Sequence, residues 1–129
     1  MNTPADIQLT LPVPPSANRI WRTTLTGRTY KAPAYQEWLA AAGVACAEQT
    51  HGDHVPGCYA IAITLPRTRI DPDNAIKPLQ DLLQRAGIVA NDRYMRRLAL
   101  DVDDARTDVL VRLWALPDQQ KTPARKRRG

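Results

Sequence analysis

Residues 58–87, CYAIAITLPRTRIDPDNAIKPLQDLLQRAG, contain a strand pattern followed closely by a helix pattern. The first part, Cys58 to Leu65, is apolar and partly β-branched between a glycine and a proline, which favours a buried strand. The second part predicts a helix from about Asp73 to Ala86, with Gly87 as its C-terminal stop. Pro78 falls beyond the first turn of this helix, so we expect a kink or a tightened start rather than a straight rod.

The flanking segments supply the other elements of a domain. The pattern predicts a strand at Ile7–Leu11, a basic ribbon over residues 19–31 that turns at Thr26 and Gly27, a helix from Pro33 to before Gly52, and a closing hairpin formed by Arg97–Val102 and Val109–Leu113. This order predicts an α+β fold: a single domain over residues 1–120, in which a mixed β-sheet packs with two main helices. Residues 121–129 are predicted to be a basic, disordered tail.

Composition narrows the class of protein and its compartment. A length of 129 residues can bury one core without disulfides. The two cysteines, Cys46 and Cys58, form no disulfide framework, and no signal peptide is visible, so we expect a cytoplasmic protein. The longest mostly apolar stretch, residues 38–47, is too short to cross a bilayer, so no membrane partner is expected.

The net charge of +5 is concentrated at one end of the chain. Residues 1–120 hold 13 basic and 13 acidic side chains, and the excess consists of Lys121, Arg125, Lys126, Arg127 and Arg128. Such a tail attracts phosphates by counterion release, or it only improves solubility; the sequence leaves both interpretations open.

Asp71 and Asp73 are the main candidates for functional residues, because they lie between the predicted strand and the start of the predicted helix. Pro72 holds Asp71 in extended backbone and is a good first helical residue. One aspartate here could simply cap the helix. Two carboxylates with Asn74 beside them exceed what a cap requires, and they offer the hard oxygen ligands that Mg²⁺ prefers.

Two longer motifs give this pair a family context. The segment D-P-D-N-x-x-K at residues 71–77, a helix, and then G-I-x-x-N-D at residues 87–92 resembles the signature of the RusA family of Holliday-junction resolvases. The upstream LPVPPSANRIWR at residues 11–22 is similar to a Pro-Pro-Ser-x-Asn-Arg segment of that family. The resemblance covers roughly residues 7–115 and is far more specific than either motif alone.

The resemblance implies a RusA-like fold and an endonuclease that cuts branched DNA. By it, Asp71, Asp73 and Asp92 are catalytic and bind a divalent metal, Mg²⁺ or Mn²⁺, and Lys77 is their essential basic partner. No small-molecule cofactor is expected. Family members are dimers and are often carried by phages, and a two-fold homodimer suits paired symmetric nicks in a four-way junction.

The residue patterns alone leave several alternatives open. Lys77 could instead form helical ion pairs with Asp73 and Asp81, each four residues away, and Asp92 could be an ordinary polar turn residue. The candidates for contacts with DNA are Asn18, Arg19, Trp21, Arg22, Arg67, Arg69, Asn74 and Arg93. Trp21 could equally be a core residue.

Other functions compete with the nuclease hypothesis. A non-catalytic DNA-binding or assembly protein could use the same carboxylates as caps. A phosphotransfer enzyme is disfavoured, because the chain has no glycine-rich phosphate cradle. Zinc could in principle be bound by Cys46, His51, His54 and Cys58, but their spacing matches no common zinc template.

Overall fold

The computed structural model describes residues 4–16, 21–68 and 71–117, and for Trp21 and Arg22 it describes the backbone only. The predicted DNA contacts Asn18, Arg19 and Arg69 and the basic tail 121–129 therefore lie outside the described residues. In the part of the chain that is described, no helix is both long and apolar enough to cross a bilayer.

The strands and helices follow the predicted order. They are β1 (Ile7–Leu11), β2 (Trp21–Thr23), β3 (Thr29–Lys31), α1 (Pro33–Thr50), β4 (Tyr59–Leu65), α2 (Ile76–Arg85), β5 (Met95–Val102) and β6 (Val109–Ala115). Two 3-10 turns, Pro72–Ala75 and Asp92–Tyr94, precede α2 and β5. The basic ribbon is confirmed, since β2 and β3 pair antiparallel as a separate two-stranded sheet.

The main sheet has the strand order β1-β6-β4-β5. β4 runs parallel to β5 and antiparallel to β6, and β1 runs antiparallel to β6. The α+β class and the mixed sheet are thus confirmed.

The predicted closing hairpin of Arg97–Val102 with Val109–Leu113 is wrong, because β4 lies between β5 and β6. β4 is buried along almost its whole length, whereas β5 is largely exposed. The most apolar strand gains most from neighbours on both sides, so it takes an inner position and leaves the edge to β5. Residues 103–108 must then span about 10 Å, two strand spacings.

Both helices cover one face of the main sheet. Its core combines alternate residues of the strands with the apolar faces of α1 and α2; the members include Leu9, Leu11, Tyr35, Trp38, Ile61, Ile63, Leu79, Leu83, Val111 and Leu113. α1 also holds the edge strand β1, since the Gln49 side chain bonds to both the N–H and the C=O of Thr10, each at 2.8 Å. This satisfies backbone groups that an edge strand would otherwise expose.

The start and the end of α2 agree with the sequence interpretation. The 3-10 turn Pro72–Ala75 is the predicted tightened start. At the other end Gly87 has φ +75°, and the N–H of Ile88 bonds to the carbonyl of Leu83 at 3.0 Å, as in a Schellman motif. The reversal lets Val89 pair with Val55, and the chain then turns into the segment that carries Asp92.

Candidate functional site

Asp71 and Asp73 stand at the head of α2 with exposed carboxylates. Asp71 occupies the N-cap position of the turn Pro72–Ala75, and its carbonyl accepts the N–H of Asn74 at 2.9 Å, but its carboxylate makes no capping hydrogen bond. Neither carboxylate has a hydrogen bond or an ion pair with another described residue. Among the described residues, capping therefore does not account for these two carboxylates, and no described side chain occupies their oxygens.

Lys77, on the first turn of α2, reaches Asp92 rather than its neighbours on the helix. Its Nζ lies 4.0 Å from Oδ2 of Asp92. Asp81 pairs instead with Arg85 at 3.8 Å and with Lys31 at 3.9 Å. Within the described residues, the alternative of a helical ion pair for Lys77 is not observed, and this lysine joins the helix to the second motif.

Asp92 is held in place by the polar side of α2. The side-chain Oε1 of Gln84 accepts the backbone N–H of Asp92 at 2.8 Å. One turn earlier, the Gln80 amide lies 3.3 Å from the sulfur of Met95. Asp92 thus begins a 3-10 turn that is fixed by Gln84 on the last turn of α2.

Tyr59 is a neighbour of Asp92 that the sequence analysis missed. The residue is fully buried at the start of β4, and its hydroxyl has no hydrogen-bond partner among the described residues. Burial raises the pKa of Tyr59 to about 12, and the negative charge of Asp92 adds to this effect. No sequence signal could have found it, because a tyrosine in a buried strand normally indicates only core packing.

The described residues contain no group of three or more Asp, Glu, His or Cys side chains arranged to hold a metal ion. The three predicted ligands are therefore not gathered into one closed set, and metal binding stays a prediction. The exposed Asp71 and Asp73 carboxylates nevertheless fit Mg²⁺, which is commonly held by one or two carboxylates together with water and substrate phosphate.

The cysteine and histidine set fits zinc poorly. Cys46 and Cys58 are both buried in the core. Burial raises the pKa of the Cys46 thiol to about 11, and zinc requires the deprotonated thiolate.

Three candidates for DNA contacts have described side chains, and each lies close in sequence to Asp71 or Asp92. Their side chains make weak contacts or none with other described residues. Arg67 is exposed and pairs with the exposed Asp104 at 3.2 Å, an ion pair that a phosphate could replace at little cost. Arg93 lies over the ring of Tyr94, 5.2 Å from its centroid. Asn74 is half-buried, and only its backbone N–H has a described role, in closing the turn after Asp71.

Comparison with known proteins decides the family. A scan against protein-family models finds no match. A curated relative, the crossover junction endodeoxyribonuclease RusA of Aquifex aeolicus (strain VF5), is 38% identical to this chain over 88 residues, which cover 66% of this chain and 68% of the relative. The chain belongs to the RusA family. The predicted membership of this family is thereby confirmed. In this RusA-family chain, the roles of Asp71, Asp73, Asp92 and Lys77 remain predictions.

Proposed function

We propose that this RusA-family protein is a metal-dependent endodeoxyribonuclease that resolves Holliday junctions and related branched DNA by paired symmetric nicks. The observation that carries the proposal is its similarity to a relative named as a crossover junction endodeoxyribonuclease. Two further observations support it: the carboxylates of Asp71 and Asp73 are exposed, and Lys77 contacts Asp92.

Hydrolysis of a phosphodiester needs an activated water and neutralisation of the charge that develops on the phosphate. Asp71 and Asp73 would hold Mg²⁺ or Mn²⁺ with Asp92 as the third ligand, and the bound metal would supply Lewis acidity and lower the pKa of a water. Both carboxylates are exposed, and metal binding there would break no ion pair with a described residue.

Lys77 supplies positive charge from the protein itself. Its side chain is 62% exposed and its partner Asp92 is 34% exposed, so their pair is only weakly stabilising and Lys77 can turn towards a phosphate. Gln84 would keep Asp92 in place during this exchange, because it binds the backbone and not the carboxylate.

The proposed substrate has two-fold symmetry, which suits a homodimer with two active sites. Arg67, Arg93 and Asn74, with the predicted contacts Asn18, Arg19 and Arg22, would bind the arms through their phosphates, and Trp21 would stack on an unpaired base. These contacts position the DNA without reading its sequence, so specificity would come from the shape of the branch.

The test is nicking of an end-labelled synthetic four-way junction, beside a linear duplex of the same sequence, in Mg²⁺ and in EDTA. We expect paired nicks at symmetric positions on the junction only, lost in EDTA and in Asp71→Asn. The matched control is Asp53→Asn, which alters an exposed aspartate elsewhere and should cut normally. Junction binding without cutting in any divalent metal would refute the proposal and favour a non-catalytic DNA-binding protein.

A further inference from the structure

The tip of the β2–β3 hairpin presents a leucine to solvent. Leu25 has an exposed fraction of 108%, so its side chain contributes nothing to the core. Polar residues and glycine dominate such turns, because the turn backbone needs their hydrogen bonds or their conformational freedom. A fully exposed apolar side chain at the tip of the hairpin is therefore available for contact with a partner.

The turn that carries Leu25 is internally hydrogen-bonded around Thr24. The N–H of Thr24 donates to the carbonyl of Arg28 at 2.8 Å, and its carbonyl accepts the N–H of Gly27 at 3.0 Å. Its hydroxyl accepts the N–H of Arg28 at 3.0 Å and lies 3.0 Å from the hydroxyl of Thr26. Gly27, at φ +88°, takes the left-handed conformation that closes the turn. The leucine is thus presented by a preorganised turn.

The surroundings of Leu25 suit a nucleic acid. Residues 19–31 contain four basic side chains and no acidic one. Arg28 is exposed, and its guanidinium has no hydrogen bond or ion pair with another described residue. Tyr30, 42% exposed, lies opposite Arg22 in the strand register. A cation for phosphate beside apolar and aromatic side chains for bases is the combination that deforms DNA by wedging.

We propose that Leu25 is a wedge that inserts between base pairs at the branch point of a DNA junction, while Arg28 contacts the adjacent phosphate. The inference rests on the proposed function and adds a residue that selects branched over linear DNA. Base pairs at a branch point have lost a stacking neighbour on one side, so separating them costs less there than within a continuous duplex. Because the turn is preorganised, little conformational entropy is lost when Leu25 inserts.

The experiment measures binding in EDTA, where the proposed cutting does not occur, with 2-aminopurine placed beside the branch point. Wild type should bind the junction more tightly than linear duplex and raise the 2-aminopurine fluorescence by unstacking the base. Leu25→Ser should lose the fluorescence rise and about tenfold of the junction affinity, the scale expected when one leucine is no longer buried. Its affinity for linear duplex should not change. Leu25→Met should keep both properties.

Val44→Ser is the matched control, since Val44 is an apolar side chain on α1 that is also largely exposed, at 60%. It should behave as wild type. Unchanged fluorescence and junction affinity in Leu25→Ser would overturn the wedge while leaving the proposed nuclease intact. If wild type shows no preference for the junction, the proposed function fails and this inference fails with it.

Discussion

Replacing Tyr59 by phenylalanine should stabilise the protein, which is unusual for a change in a buried core residue. The Tyr59 hydroxyl is buried without a partner among the described residues. Leaving such a group unsatisfied costs about 1–3 kcal/mol, and Tyr59→Phe removes the cost together with the oxygen. A small loss of packing offsets part of the gain. We expect the free energy of unfolding to rise by about 1 kcal/mol and Tm to rise by about 4 °C.

Tyr35→Phe is the matched control with the opposite expected sign. Tyr35 is equally buried, but its hydroxyl donates to the carboxylate of Asp81, and burial together with this bond raises the pKa of Tyr35. Losing a hydrogen bond to a charged group should cost about 1.5–3 kcal/mol. Urea unfolding of both variants at pH 7 gives the two free energies. Destabilisation of Tyr59→Phe by as much as Tyr35→Phe would refute the reasoning, since it would mean that the Tyr59 hydroxyl is satisfied.

Three further predictions concern the site and the core. Gln84→Met removes the acceptor of the Asp92 N–H, so the nicking rate should fall and the Mg²⁺ concentration for half-maximal nicking should rise. Gln84→Glu keeps an acceptor and should restore that Mg²⁺ concentration to the wild-type value. Lys77→Met should change the free energy of unfolding in urea by no more than about 0.5 kcal/mol, because the ion pair it removes is exposed. It should nevertheless abolish most junction nicking. Loss of nicking that is accompanied by a large loss of stability would contradict this prediction. Burial raises the pKa of Cys46 from 9.0 to about 11. Between about pH 9 and 11 the unfolded chain therefore loses a proton that the folded chain keeps, so the folded state becomes less stable as the pH rises. The fall in the urea midpoint of unfolding between about pH 8 and 10.5 should be smaller in Cys46→Ala than in wild type.

The elements of the fold could be predicted from the sequence, but not all of their neighbours. Hydrophobic period and breakers located β1 and α1 closely, because both depend on local patterns. The pairing of β5 with β6 was wrong because alternation shows which face of a strand is buried, not which strand lies beside it. The continuous apolar run at residues 58–65 was a sequence signal that β4 would take a central position.

At the candidate site, the sequence identified the residues but left their contacts ambiguous. Spacing allowed Lys77 to pair along its own helix, and only the return of the chain after Gly87 brought it to Asp92. The sequence does not indicate the hydrogen bond from the backbone N–H of Asp92 to Gln84 or the unpaired hydroxyl of Tyr59 among the described residues. Each depends on where the fold places an ordinary residue type.

The inner position of β6 also constrains the order in which the chain can fold. β6 joins β1 to β4, and it pairs Leu113 with Ile7, so a loop of about one hundred residues must close before β1 joins the main sheet. The unit of β4, α2 and β5 uses contacts much closer in sequence and can form earlier during synthesis. Until residues 109–115 have left the ribosome, β1 and one side of β4 have no strand to pair with, so completion of this sheet is a late and slow event.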